Sequence, residues 1–376
     1  MAGVEIQSNA YRSEAPARTL PGYNFVGRVG LGVQLRAPKV WFDFDGKWEP
    51  RIFLTPASQN LNQLGNFAAG AALSVAPSGI VGFKLSDRAR FSANSNDEPF
   101  KGNALVTQIR NTLAVGLPIR PGPEFTIEPG ASWSFHTFRI PGAVGSRGYG
   151  DRNTIAPHLN FTWLFFPNTA FVFEASYEMN LWRQYEAGLQ RPLPDSQYLR
   201  AVTGIRGRFT RHFLLQALVG YGFAMYQDAL GGDFSLSNRN NASLLDSLIV
   251  YVRPELDFGY TDGESFGQRV HVSYRKDYND SFFTNYLAYH QVGLGWDSNL
   301  GRFFGVQLAG SVRFEGYHGA VERNDIFPDV SLALPIRPTR YLTLRPAVEY
   351  MQRVSFDDPT VEYLNFVRRF HISFVY

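Results

Sequence analysis

The sequence predicts an all-β protein whose strands form a transmembrane antiparallel up-and-down β-barrel. Apolar and polar residues alternate along many segments, and the connections between these segments are short and long in turn. Successive side chains of a strand point to opposite sides, so the alternation indicates strands with one apolar and one polar face. Mean hydropathy is −0.19. No run of about 20 apolar residues is present to form a spanning helix.

The N-terminal segment is predicted to lie outside the barrel. Residues 1–21 lack the apolar core of a secretory signal peptide, so we interpret Met1 as a start placed on a mature chain whose signal peptide is absent. We expect this segment to be a flexible periplasmic lead. No linker-like change of composition divides the remainder, so residues 22–376 are predicted to be one outer-membrane β-barrel.

The first strands carry the weakest pattern. Residues 24–36 alternate clearly, residues 67–76 alternate less clearly, and the pair Asp45-Gly46 between them is typical of a tight hairpin turn. With this hairpin counted as two strands, the barrel has about 18 strands. If the hairpin folds inward or lies in a loop, the count is about 16.

The remaining strands, about fourteen from residue 79 onward, follow a regular layout. Short connections such as "PGPE" (121–124) and "PNT" (167–169) contain Pro, Gly and Asn, which are typical turn residues. Longer ones include "RIPGAVGSRGYGDRN" (139–153). Short periplasmic turns with longer outer loops are typical of outer-membrane barrels.

The chain ends on the alternating run "FHISFVY" (370–376). Phe370 and Ile372 share one face, and His371 and Ser373 share the other. An exposed final strand of this kind would pair with other chains unless another strand covers its edge. We therefore expect it to close the barrel against the first strand, and it resembles the C-terminal assembly signal of such barrels.

A soluble all-β protein is the alternative for the fold. A propeller would show a repeat of about 40 to 50 residues, which is absent here. A sandwich would leave many aromatic residues without a second sheet to cover them.

The polar residues of the alternating strands are predicted to line the lumen. This predicted lining is more basic than the net charge of +3 suggests. The inferred lining residues are Lys84, Arg88, Arg90, Arg110, Glu174, Glu178, Arg200, Arg206, Arg208, Tyr251, Arg253, Glu255, Arg269, Arg275, Tyr289, Arg313, Tyr317, Arg345, Glu349, Arg353 and Arg369.

Two interpretations of this lining stay open. Arginines and acids on neighbouring strands pair and brace the wall, as Glu174 and Glu178 would do beside Arg200 and Arg206. Alternatively, unpaired arginines favour the passage of anionic or sugar-like solutes, because rings of cationic side chains bias pores towards anions.

Catalysis is not predicted. His136 and His158 lie on inferred neighbouring strands with Ser132 and Ser134 nearby, and a Ser/His pair can form a nucleophile. No nucleophile-elbow pattern accompanies them. The "GRVGLG" run (27–32) lies within an alternating strand with no helix after it, so it does not predict phosphate binding.

No cofactor, metal site or nucleic-acid partner is predicted either. Cysteine is absent from the chain, which removes thiolate ligands, and no cluster of other metal ligands has suitable spacing.

The runs "GIRGRFTRHFLLQALVGYG" (204–222) and "YRKDYNDSFFTNY" (274–286) resemble the β-barrel porin families associated with exopolysaccharide export clusters. The resemblance covers less than half of the chain and implies a conduit in the bacterial outer membrane. That conduit would contact outer-membrane lipids, export a polysaccharide and work with a periplasmic export protein. Two alternatives remain: a general or anion-preferring diffusion porin for small anionic solutes, and a structural or adhesion platform.

Overall fold

The computed structural model describes a single antiparallel sheet. The described residues are 2–7, 22–54, 65–95, 105–139, 151–182, 195–227, 234–235, 248–260, 266–280, 286–318 and 322–374. Besides strands they include a 3-10 turn at Pro359–Val361. Nowhere in these ranges is there a helix long and apolar enough to cross a membrane. The predicted all-β antiparallel architecture is confirmed.

The strands are numbered in chain order. The first ten are β1 (Ala2–Gln7), β2 (Gly22–Gly27), β3 (Val29–Arg36), β4 (Val40–Trp48), β5 (Arg51–Phe53), β6 (Phe67–Val75), β7 (Phe83–Ser95), β8 (Leu105–Gly116), β9 (Ile119–Gly122) and β10 (Phe125–Arg139). The next seven are β11 (Arg152–Phe166), β12 (Thr169–Trp182), β13 (Ser196–Arg208), β14 (Phe213–Gln227), β15 (Phe234–Ser235), β16 (Leu248–Asp257) and β17 (Gly267–Asp280). The last six are β18 (Tyr286–Asn299), β19 (Gly305–His318), β20 (Arg323–Ala333), β21 (Ile336–Thr339), β22 (Leu342–Ser355) and β23 (Tyr363–Phe374).

Four pairs of consecutive segments each form one longer strand with a short interruption. Pro50 separates β4 from β5, Pro118 separates β8 from β9, and Pro335 separates β20 from β21. Proline has no N–H to donate to the ladder, which explains why the regular pairing breaks at these points. A fourth interruption, at Arg28, separates β2 from β3.

Strand β1 joins the beginning of the sheet to its end. Ala2 lies opposite Gly27 on β2 and opposite Ile372 on β23. The sequence predicted residues 1–21 as a flexible lead, and for β1 this prediction is wrong. A strand as short as β1 shows too few alternations to be distinguished from a lead by periodicity. The rest of the predicted lead, residues 8–21, lies outside the described residues.

The prediction of a hairpin at Asp45-Gly46 is also wrong. Strand β4 runs straight through this pair, with Asp45 opposite Gly32 on β3 and opposite Gly70 on β6. Pairing on both sides keeps the strand extended, and this overrides the local turn preference. The chain reverses earlier, where the backbones of Ala37 and Val40 exchange hydrogen bonds.

The other turns and the end of the chain agree with the sequence pattern. Tight turns connect β9 to β10 and β11 to β12 at the predicted positions. Of the long connections, residues 140–150 and 183–194 lie outside the described residues. Strand β23 pairs with β1 as expected for the final strand. Residues 375–376 of the terminal run lie outside the described residues.

The two faces of the sheet differ in character. Large apolar side chains are exposed on one face, for example Val219 at 51%, Val292 at 49% and Leu294 at 50%. Charged and polar side chains alternate with them on the other face. We call these the apolar face and the polar face.

Candidate functional site

The polar face is concave. Strands β13 and β17 are separated by β14 and β16, a span of about 14 Å at the usual strand spacing. Arg200 Nη1 nevertheless lies 3.2 Å from Asp277 Oδ1. Lys84 Nζ lies 2.6 Å from Glu128 Oε2 across β8. Side chains reach across intervening strands in this way because the sheet curves towards them.

Many of the predicted lining cations are paired with acids. The pairs are Lys84–Glu128, Arg200–Asp277, Arg208–Asp257, Arg253–Glu255, Arg269–Asp297, Arg275–Asp277, Arg313–Glu315, Arg353–Asp325 and Arg369–Glu349. The pairs that join two strands agree with the bracing interpretation, whereas Arg253–Glu255, Arg275–Asp277 and Arg313–Glu315 each lie within one strand. Whether the polar face lines a lumen stays a prediction.

The particular pairing suggested by the sequence for Arg200 is wrong. The register places Ser176 opposite Arg200, and the guanidinium turns to Asp277 instead. Glu178 Oε1 accepts a hydrogen bond of 3.0 Å from Asn180 Nδ2. Which acid pairs with Arg200 therefore depends on the curvature of the sheet, and the alternation of apolar and polar residues does not predict that curvature.

A second group of predicted cations has no acidic partner among the described residues. Arg88 and Arg90 on β7, Arg110 on β8 and Arg206 on β13 belong to it. Arg345 donates a hydrogen bond of 2.7 Å to Gln307 Oε1, which is neutral.

Aromatic rings and ion pairs form a band near the ends of the strands that carry the long connections. We call it the arginine–tyrosine belt, and its members are Tyr198, Arg200, Arg275, Asp277, Tyr278, Tyr289, Arg313, Glu315, Tyr317, Arg323, Asp325, Phe327 and Arg353. Stacking and charge pairing alternate along it.

The first half of the belt is centred on Tyr278, which is fully buried. Tyr198 stacks on it with ring centroids 5.6 Å apart, and the Arg200 guanidinium lies 4.4 Å from its ring centroid. Arg275 pairs with Asp277 at 2.7 Å and lies 5.6 Å from the ring centroid of Tyr289. A guanidinium over an aromatic face gains electrostatic attraction, so these contacts hold the cations in place.

The second half is more deeply buried. Asp325 accepts from Arg323 at 3.0 Å and also pairs with Arg353, and all three side chains are buried. The guanidiniums of Arg313 and Arg353 lie 5.0 Å and 4.9 Å from the ring centroid of Phe327.

A neighbouring tyrosine continues this half. The Tyr317 hydroxyl donates to Glu315, and the Arg323 guanidinium lies 4.5 Å from the Tyr317 ring centroid.

The sequence analysis missed part of the belt, notably Tyr198, Tyr278, Arg323 and Asp325. Tyr278 shares its parity with residues of the apolar face, so alternation alone assigns it to the wrong side. It turns inward because Gly222 leaves room: a Cβ there would lie 2.1 Å from the Tyr278 hydroxyl.

Below the belt lies a cavity of about 490 Å³, which we call the wall cavity. Its lining combines carboxylate, guanidinium, amide and phenol groups, including Glu174, Arg200, Gln216, Tyr251, Arg275 and Asp277. Donors and acceptors are thus mixed in one space, an arrangement suited to a ligand with many hydroxyl groups.

A second cavity, of about 420 Å³, lies near the tight turns and is called the turn-end cavity. Its charged lining is mainly basic: Arg28, Arg337, Arg345, Arg369 and His371, with Glu349 as the acid.

The residues considered for catalysis are not assembled. His158 lies opposite Gly130 on β10, whereas His136 lies six residues further along that strand, about 20 Å away. Ser132 faces Ala156 rather than a histidine. The described residues also contain no group of three or more His, Asp or Glu arranged to hold a metal ion.

No family model and no curated protein matches this chain. Solved structures do match. The copper transporter OprC has a TM-score of 0.53 at 10% identity, over 94% of this chain and 60% of that one. The FrpB iron transporter from Neisseria meningitidis (F5-1 variant) has a TM-score of 0.53 at 10% identity, over 94% and 63%. The alcaligin outer membrane receptor FauA from Bordetella pertussis has a TM-score of 0.50 at 8% identity, over 98% and 64%.

The chain therefore shares its fold with proteins of the bacterial outer membrane, in agreement with the location predicted from the sequence. It spans 60% to 64% of the length of these structures. At this level of identity the likeness concerns the fold.

Proposed function

We propose that the protein is an outer-membrane conduit for the export of a polysaccharide and that it works with a periplasmic export protein. The proposal includes a closed transmembrane β-barrel with the polar face as its lumen. Transport as a general class is supported by the shared fold with outer-membrane transporters and receptors. Polysaccharide as the substrate is our own inference.

Closure is supported by strand β1, which pairs with β2 on one side and with β23 on the other. The described residues form 18 strands when the four interrupted pairs of segments are joined and the two-residue β15 is left out. A barrel of this size is wide enough for an aqueous channel, whereas about eight strands would be filled by side chains.

The wall cavity is the observation that carries the choice of substrate. Sugars present hydroxyl groups and apolar ring faces, and the cavity offers Glu174, Gln216 and Tyr251 to contact them. Many moderate contacts suit a conduit, because a polymer that moves must bind weakly enough at each site to leave it.

A general or anion-preferring diffusion porin is the second candidate. It is favoured by arginines that have no acidic partner among the described residues, namely Arg88, Arg90, Arg110 and Arg206. A structural or adhesion platform is the third candidate.

Gene deletion and conductance together separate these functions. We expect deletion to abolish polysaccharide at the cell surface, and the purified protein to conduct ions in a planar bilayer. Normal polysaccharide with open, anion-selective channels would establish the porin instead. Normal polysaccharide without conductance would favour the platform.

A variant of the wall cavity tests the substrate more directly. Gln216→Ala combined with Tyr251→Ala removes two polar contacts from the cavity, and we expect less exported polysaccharide from cells with normal levels of folded protein. The matched control is Val219→Ala, which lies on the apolar face of β14 and does not line the cavity. Equal export from both variants would contradict the proposed role of the cavity.

A further inference from the structure

A row of cations lies on two neighbouring strands of the polar face. Arg90 on β7 lies opposite Arg110 on β8, and His136 on β10 lies on the other side of Arg110. Arg88, two residues before Arg90, is on the same face. We call Arg88, Arg90 and Arg110 the cationic row.

The like charges of this row destabilise the sheet when no anion is bound to them. Like charges directly opposite each other in an antiparallel pair destabilise a sheet, and Arg90 and Arg110 are such a pair. Neither of them, nor Arg88, forms an ion pair among the described residues. Two acids lie beyond ion-pair distance: Asp45, across Gly70 from Arg88, and Glu178, which acts on Arg110 and accepts a hydrogen bond from Asn180. The arginines of the belt, by contrast, share their surroundings with carboxylates.

The geometry matches a linear ligand with repeated negative charges. Neighbouring strands are about 4.8 Å apart, so Arg90 and Arg110 present two cations at that interval, and Arg88 lies about 7 Å from Arg90 along β7. Next to the row, the hydroxyl groups of Thr112 and Ser134 are 2.9 Å apart on the same face. Thr112 lies directly opposite Arg88. Neutral hydroxyls beside guanidiniums suit a sugar that carries both carboxylate and hydroxyl groups.

We propose that the cationic row is a binding site for an acidic oligosaccharide, with the guanidiniums of Arg88, Arg90 and Arg110 contacting successive carboxylates. This inference rests on the proposed transport of a carbohydrate and names its class as anionic. The bound carboxylates supply the ion-pair partners that these three arginines lack among the described residues.

Direct binding tests the site without requiring transport. The full chain, purified in detergent, is titrated calorimetrically with an oligogalacturonate and with a neutral malto-oligosaccharide of the same length. We expect binding of the oligogalacturonate only, weakened by added salt because screening acts on charge pairs. Arg90→Gln with Arg110→Gln should weaken it at least about tenfold, since charge-assisted hydrogen bonds are lost.

The control variant removes the same charge from arginines with acidic partners. Arg208→Gln with Arg253→Gln should bind within about twofold of the unmodified protein, because a factor of two is a small free-energy difference. Arg88→Gln alone is a milder variant of the row should the double variant fold poorly. Thermal unfolding is the second measurement: oligogalacturonate should raise the unfolding temperature of the unmodified protein and not that of the double variant.

Three results would overturn the site. These are equal binding by the row variant and the unmodified protein, absence of oligogalacturonate binding, or binding of linear polyphosphate in its place. Conductance and surface polysaccharide are measured separately, so loss of the proposed transport function is distinguished from loss of this site.

Discussion

At the scale of single residues, the ion pairs differ mainly in burial. The side chains of Arg323 and Asp325 are 4% and 0% exposed, whereas those of Arg36 and Asp43 are 44% and 41% exposed. Removing one partner of a buried pair leaves an uncompensated charge, but a surface pair contributes little. Ion pairs of similar geometry therefore contribute differently to the stability of the folded protein.

Asp325→Asn should strongly destabilise the protein. The carboxylate is shared by two buried guanidiniums, those of Arg323 and Arg353, and its loss costs about 3 kcal/mol or more. Asp43→Asn, at the exposed pair with Arg36, should cost about 1 kcal/mol or less. Urea unfolding of the two variants in lipid vesicles measures the difference, and equal midpoints would contradict this assignment.

Gly222→Ala should disrupt the arginine–tyrosine belt. Its Cβ would lie 2.1 Å from the Tyr278 hydroxyl, so Tyr278 must move away from Tyr198 and Arg200. Overpacking of this kind costs about 1 to 3 kcal/mol. The control is Gly122→Ala, where a Cβ meets nothing within 4 Å. Vesicle unfolding compares them, and a Gly222 variant as stable as the control would show that the belt tolerates the displacement.

At the scale of elements, successive side chains of each strand point alternately to the apolar face and to the polar face. On β14, Val219 is 51% exposed on the apolar face, while Gln216 lies on the polar face at the wall cavity. A one-residue slip would exchange the faces, so alternation on this scale specifies register strongly.

Val219→Arg should prevent assembly. A cation on the lipid side near the middle of the membrane costs about 2 to 4 kcal/mol. Asn160→Arg is the matched change on the polar face, where Glu128 and Glu174 lie directly opposite it on the two neighbouring strands. Heat-modifiable migration on gels reports folded protein, and similar yields for both variants would show that the faces are assigned wrongly.

At the scale of the whole molecule, the pairing of β1 with both β2 and β23 is the decisive feature. It covers the edges of β2 and β23 where β1 lies. Exposed edges template pairing with other chains, so covering them removes this hazard.

A disulfide tests this pairing, since the chain has no native cysteine. Val4 lies opposite Phe370, and partners in an antiparallel pair have the Cα separation that a disulfide needs. Val4→Cys with Phe370→Cys should cross-link on oxidation of the folded protein. Val4→Cys with Leu364→Cys should not, because six residues along a strand place the second cysteine about 20 Å away. A reversed result would refute the register between β1 and β23.

By itself the sequence determined the strand class, the two faces of most strands and the positions of the tight turns. These follow from local chemistry: alternation assigns a side chain to a face, and Pro, Gly and Asn reverse the chain. Tyr278 is the exception: its parity assigns it to the apolar face, but its hydroxyl occupies the space that a side chain at Gly222, on another strand, would fill.

Only the tertiary structure decided which residues meet. It placed β1 in the sheet, carried β4 through Asp45-Gly46 and gave Arg200 the partner Asp277 across two strands. It also aligned Arg90 with Arg110 while leaving both without an acidic partner among the described residues. The physical reason is that register and curvature are set by the whole sheet: a side chain's face depends on its own strand, but its neighbours depend on the positions of all the others.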